Sequence, residues 1–309
     1  MIFLWILLAV LLLVLLTAFI CFYMAFFVPH HAPVAIDDYT IPKGEIYEPY
    51  REAMVKWMKE VRAMPHEDFY ITSHDGLKLH GRYYEYAPGA PIELMVHGYR
   101  GTGDRDLCGG VQRCFSLGHS ALIVDQRACG KSDGKVITFG VCESRDCLSW
   151  LRYMVSRFGP EQEIILCGIS MGAATVTMAA GLPLPANVTS VLADCGYTSA
   201  KEIIQKVIAV DMKLPPKLAY PFVKLGAKVF GGFDLEENPP IEAVTKTRIP
   251  IIFIHGGSDD FVPCDMSRRC HEANPGMTRF VSIPGAGHGL SYLVDKETYL
   301  TVLREFWNL

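Results

Sequence analysis

The sequence predicts an α/β fold, a mostly parallel, doubly wound sheet with a helical lid insertion, preceded by one N-terminal transmembrane helix. Three observations carry this reading. From Ile92 onward, short apolar runs alternate with helix-length segments, and the runs close on Asp, His or Gly. Such alternation calls for right-handed crossovers, which place helices on both faces of a parallel sheet. The rhythm stops between about 197 and 238, where two helical stripes replace the strands. Finally, Met1 to Val28 contains no charged side chain and is almost wholly apolar.

That first segment exceeds the ~7–15-residue apolar core of a secretory signal and has no Lys or Arg before it. It is long enough for a bilayer crossing, which needs ~20 apolar residues. Trp5 at one end and Phe22, Tyr23, Phe26 and Phe27 at the other suit the membrane interfaces. The expectation is a single uncleaved transmembrane helix at 1–28. A Pro-containing linker at 29–44 then lets a folded domain at 45–309 stand off the membrane. Lys43 is the only basic residue close to the helix, so charge barely orients it. Nine further cysteines are scattered through the domain with no C-x-x-C pair or zinc spacing. Such thiols fit a reducing compartment, so the domain is expected on the cytoplasmic side.

In chain order, Glu45 to Met64 carries Tyr47, Tyr50, Met54, Trp57, Met58 and Val61 at helical spacing, and Pro65 ends it. Phe69–Thr72 and Leu77–Tyr83 flank Asp75-Gly76, a hairpin signal, with Leu77, Leu79 and Tyr83 on one face. Ile92–Val96 is a buried strand running into His97-Gly98-Tyr99, and a helix is expected at about 104–117. Ala121–Val124 is a strand closing on Asp125, and Gly140–Phe158 a long helix. Val188–Ala193 is a strand ending at Asp194. Within the insertion, Ser199 and Glu202 form a capping-box pattern, and a second helix runs from Pro216 to about Phe230 before Gly231-Gly232. Up to Phe230 this lid carries six lysines against only Glu202 and Asp211, and these lysines solvate a helical face or meet anionic headgroups. The core resumes with strands Ile251–Ile254 and Thr278–Ile283 and helices at Cys264–Asn274 and Glu297–Phe306.

The chain is organised around Ile164–Gly181. Here an apolar strand passes through Gly168-Ile169-Ser170-Met171-Gly172 into a small-residue helix. In a turn this tight, side chains in place of Gly168 and Gly172 would strike backbone, and Ser170 is lifted above the strand end. A serine hydroxyl is a poor nucleophile until a base takes its proton, and the base needs a third group to fix its tautomer. His288, in the loop Gly285-Ala286-Gly287-His288-Gly289 after the last strand, is the candidate base. Asp259, in His255–Pro263, is the candidate acid. Asp194 is its rival from the preceding strand, and Asp260 is expected to face solvent or cap the next helix. A developing oxyanion needs two N–H donors: the Met171 amide follows the nucleophile directly, and the Tyr99 amide is the second candidate. His97 reads as a loop-structuring residue.

With HGYRG at His97, DQRACGKSDG at Asp125, GISMG at Gly168, ADCGYTS at Ala193, HGGSDDFVP at His255 and GAGHG at Gly285, residues from about Phe69 to Leu309 resemble the α/β-hydrolase superfamily. The chain is similar in particular to its bacterial membrane-anchored serine-aminopeptidase (S33-type) and monoacylglycerol-lipase-like members. The resemblance implies Ser170, Asp259 and His288 as catalytic triad, with Tyr99 and Met171 as oxyanion donors. One departure is Ala128-Cys129, where relatives often have glycine and histidine.

The expected activity is hydrolysis of carboxylic esters, with acyl glycerols and lysolipids as candidate substrates, through an acyl-enzyme. Amide or peptide hydrolysis is an alternative, and a catalytically inactive membrane-tethered binding protein a more distant one. No cofactor or metal motif is read. The partners expected are an ester or lipid substrate and the membrane. A net charge of -4 argues against nucleic acid.

Overall fold

The structure is a computed structural model that describes residues 1–29, 35 and 37–309. Part of the expected linker therefore lies outside the described residues. Eight strands form one sheet in the order β1-β2-β4-β3-β5-β6-β7-β8. They are β1 (Glu67–Thr72), β2 (Lys78–Tyr84), β3 (Ile92–Val96), β4 (Ser120–Val124), β5 (Ile164–Ile169), β6 (Val188–Asp194), β7 (Ile251–Gly256) and β8 (Thr278–Ile283). Only the β1–β2 and β2–β4 pairings are antiparallel. From β4 outward every pairing is parallel.

Strands β3 and β5 lie at the centre, buried on both faces as parallel strands between helical layers must be, and the one charged side chain in them, Glu93, is paired with Arg113 and His119. One apolar cluster fills the space under Val141–Phe158 and Met171–Ala180, with Trp150, Leu151 and Met154 against Leu94, Leu122 and Leu166. A second lies on the other face beneath Arg51–Ala63, Cys108–Ser116 and Lys296–Trp307. The hairpin forms with Thr72 opposite Lys78. Its second strand is not one-sided: His80 and Tyr84 are buried beside Leu79 because β2 also pairs with β4.

Local differences from the expected elements have local causes. The segment starting at Glu45 begins as a tight 3-10 turn over Glu45–Tyr50, containing Pro49, before the α-helix Arg51–Ala63. Proline lacks the N–H that a continuous α-helix would use there. The helix expected at 104–117 is two pieces, Gly103–Asp106 and Cys108–Ser116. In the lid, Ala200–Lys206 widens into a π-turn at Val207–Asp211, and Pro216–Val229 follows. The Ser199 hydroxyl caps the first lid helix, but the Glu202 carboxylate turns to Thr198 and Arg269.

Ile2–Ala25 is one 24-residue helix, the only described helix long and apolar enough to cross a membrane. Its first three turns are exposed, but its end does not stand off. Phe26 is fully buried, with its ring edge-on to Phe139 at 5.6 Å and Phe233 at 5.3 Å. The Ile137 amide donates to the Phe26 carbonyl and the Val28 amide to Lys135. Against lid helix Pro216–Val229 the approach is so close that a Cβ on Gly226 would sit 2.4 Å from the Ala18 carbonyl oxygen. The expected stand-off tether is thus corrected: aromatic packing outweighs exposure for this turn and seats the helix on the lid.

Candidate active site

The carboxyl ends of β3, β5, β6, β7 and the loop after β8 converge on one crevice, where parallel sheets present ligand sites. Ser170 stands at the strand–helix corner with φ 57° and ψ -119°, a conformation that costs ~1–3 kcal/mol and survives only where the surroundings impose it. They impose it by contact: a Cβ on Gly168 would lie 2.2 Å from the Gly172 carbonyl, and one on Gly172 2.0 Å from the Val96 carbonyl. The Ser170 amide donates to Asp194 O, which pins the corner to β6.

Ser170 Oγ lies 2.9 Å from His288 Nε2, and His288 Nδ1 lies 2.7 Å from Asp259 Oδ2. The Asp259 side chain is sealed from solvent. Burial alone would raise its carboxyl, but hydrogen bonds from His255, His288 and the Val262 amide, with the charge of His288, hold it at about 2. Its Oδ1 accepts from the amides of Phe261 and Val262. A hydroxyl, an imidazole and a fixed carboxylate in this order can pass a proton from serine to the ring while the acid holds the tautomer.

The rival acids are elsewhere. Asp194 is buried with Oδ2 accepting from Tyr299 Oη at 2.8 Å and Oδ1 3.4 Å from Ser291 Oγ, facing the C-terminal helices. Burial raises its carboxyl against those bonds. Asp260 is exposed. His97 is fully buried, its Nδ1 on Gly98 O and its Nε2 accepting from the Gln126 amide, so it braces the loop. That loop lies against the serine, a Cβ on Gly98 being 3.5 Å from Ser170 Cβ. Met171 opens its helix, so its N–H has no partner one turn back. Ala128 takes φ 59°, a backbone conformation glycine adopts without cost, and Cys129 is a buried thiol pushed up by desolvation.

Several participants escaped sequence reading. His255 lies with Nε2 3.2 Å from Asp259 Oδ2 and 2.9 Å from Val262 O, and Nδ1 2.7 Å from Ser267 Oγ. It braces the acid. Its place at a strand end was visible, its partner was not. Tyr47 donates its hydroxyl to the His288 carbonyl at 3.0 Å, across 241 residues. The Phe261 ring stands edge-on to His288 at 5.1 Å.

Above Ser170 opens a cavity of about 350 Å³. Tyr99, Phe139, Met171 and Tyr197 line its floor, and Ile203, Ile204, Ile208 and Val223 of the lid form its roof. Among the described residues, no charged side chain lines it. Of the lid lysines, Lys201 and Lys224 pair with Glu236, and Lys206 lies 4.0 Å from Asp211 and over Phe261. Among the described residues, two groups could converge on a metal. Cys195 with Asp259 and His288 is one; His74 with Asp75 and Asp146 is the other. The carboxylates of the second already bind Arg127. All ten cysteines are free thiols.

A family model described as alpha/beta hydrolase fold matches residues 94–218. The uncharacterized protein YqkD of Bacillus subtilis is 27% identical over 192 residues, 62% of this chain and 63% of its own length. An uncharacterized protein of Mycobacterium tuberculosis is 28% identical over 243 residues, 77% of this chain and 78% of its own. Among solved structures, the Pyrococcus furiosus esterase Pf2001 superposes with TM-score 0.65 at 21% identity, over 90% of this chain and 97% of that one. The Pyrococcus horikoshii acylaminoacyl peptidase gives 0.55 at 15% identity, over 78% of this chain and 41% of that one.

Proposed function

We propose that this chain, a member of the α/β-hydrolase superfamily, is a serine esterase held at a membrane by its N-terminal helix. Ser170 attacks the ester carbonyl and gives its proton to His288. The alkoxide leaves with that proton, and water then cleaves the acyl-enzyme with His288 again as base. Asp259 stays ionised throughout and orients the ring. The amides of Met171 and Tyr99 receive the oxyanion, each such donor being worth ~3 kcal/mol in related chemistry. These are acts of the chain's own residues, and the reaction balances without a cofactor.

The observation that carries the reading is the Ser170–His288–Asp259 hydrogen-bond chain at the floor of a cavity with no charged lining residue among the described residues. Such a lining favours an apolar acyl group and offers nothing to a substrate amine, which favours esters over amides. The free thiols support a domain on the reducing, cytoplasmic side.

The full chain in detergent, offered a fluorophosphonate probe and p-nitrophenyl esters, tests this. Labelling of Ser170 and ester turnover, both lost in Ser170→Ala, are expected. Equal labelling of the Ser170→Ala chain would refute it.

A further inference from the structure

The cavity above Ser170 is not enclosed by the hydrolase domain alone. Cys21, Met24 and Ala25, from the last two turns of the N-terminal helix, line it together with the lid. Their placement is built in. Tyr99 donates its hydroxyl to the Ala25 carbonyl at 2.7 Å, and Arg100 donates to the carbonyls of Met24 and Phe27. The helix's last carbonyls have no partners within it, so these bonds also satisfy a helix terminus. Phe26 wedges between Phe139 and Phe233, and Gly226 admits the backbone at Ala18.

The cavity also has a rim. Met212 and Leu214 line it yet stay 44% and 46% exposed, and Met24 across from them is 56% exposed. Val210 and Leu218 extend this apolar edge along the lid. The opening thus lies between the lid and the very helix whose exposed surface calls for hydrocarbon.

We infer that the end of the N-terminal helix is a wall of the substrate site, so that Cys21, Met24 and Ala25 select the acyl chain of a lipid ester entering from the bilayer. This rests on the esterase reading above. A short acyl group reaches Ser170 without touching this wall; a long one must lie along it. Filling the wall therefore discriminates by chain length.

The test uses the full chain in lipid nanodiscs and reads the ratio of kcat/KM for dodecanoyl over acetyl p-nitrophenyl ester. Ala25→Phe and Cys21→Phe should each lower that ratio roughly tenfold or more, the scale on which apolar pockets discriminate methylenes. Leu11→Phe, on the exposed part of the same helix, should leave it unchanged. An unaltered ratio in both wall variants, or an equal fall in Leu11→Phe, overturns the inference. Equilibrium binding of dodecanol separates this from the esterase reading, since it needs no turnover. Ala25→Phe should weaken it by a similar factor, and unchanged binding overturns the wall even if no ester is cleaved. If wild type binds dodecanol but cleaves no ester, the esterase reading alone has failed.

Discussion

The two halves of the site are built on opposite plans. The reacting half is polar, short-range and fixed by backbone: Ser170 is held by glycine contacts and a bond to Asp194, and Asp259 by two amides. The receiving half is apolar and assembled from distant segments, the Cys21–Ala25 turn, Tyr99, Phe139 and the lid. The contrast follows from what each half must do. Chemistry needs atoms placed to within a fraction of an ångström, which hydrogen bonds and forbidden backbone contacts provide. Accepting an acyl chain needs only volume and the exclusion of water, which many side-chain combinations provide. A substitution in the first half should abolish reaction and spare the pocket; one in the second should reshape selectivity.

The strongest way to break the comparison is Ser170→Ala. Loss of about 10⁶-fold in kcat is expected, with dodecanol binding unchanged; a comparable loss of binding would mean that the halves are not separable. Asp259→Asn should cost about 10⁴-fold, since the amide favours the wrong tautomer of His288. It should also alter acid stability. The Asp259 carboxyl is held below its ordinary 3.8, at about 2, so its contribution is complete above the ordinary value and is lost as pH falls through the folded one. Unfolding of wild type followed by circular dichroism should therefore steepen between those pH values, and Asp259→Asn should flatten that limb.

Phe26→Ala probes the joint of the two halves. Emptying a fully buried ring site costs ~3–5 kcal/mol, here directed at the docking of the N-terminal helix. Faster proteolysis near residue 29 with retained acetyl ester turnover is expected; equal loss of both would tie the helix to the whole fold. Tyr47→Phe is the mildest. Removing its bond to the His288 carbonyl should cost ~1 kcal/mol, read as a small drop in melting temperature with little change in kcat. Tyr99 sharpens the division in one residue, because its amide belongs to the reacting half and its side chain to the receiving one. A role confined to its backbone amide would make Tyr99→Ala nearly harmless. Its ring against Phe139 and its hydroxyl on Ala25 instead predict retained acetyl turnover with impaired dodecanoyl turnover.

How much could be read in advance follows the same division. Ser170, Asp259 and His288 were legible because each lies in a short segment whose glycines and strand end constrain the backbone locally. The parallel sheet was legible from alternation, and so were β3, β5 and β7. His255 and Tyr47 were not, because their roles depend on partners that only folding brings near. The 3-10 start at Glu45 and the break at Leu107 are tertiary adjustments that periodicity does not register.

The sequence by itself determined the fold class, the chain order of the candidate groups Ser170, Asp259 and His288, and the presence of a helix long and apolar enough to span a membrane. These depend on local sterics, on periodic burial and on a long uninterrupted apolar run. Only the tertiary structure decided that this helix ends at the apolar cavity above Ser170, that Asp194 turns to Tyr299 rather than His288, and that Ala18 meets Gly226. An apolar residue records that it seeks burial, but nothing in its own segment states against what. That information resides in the packing of the whole chain.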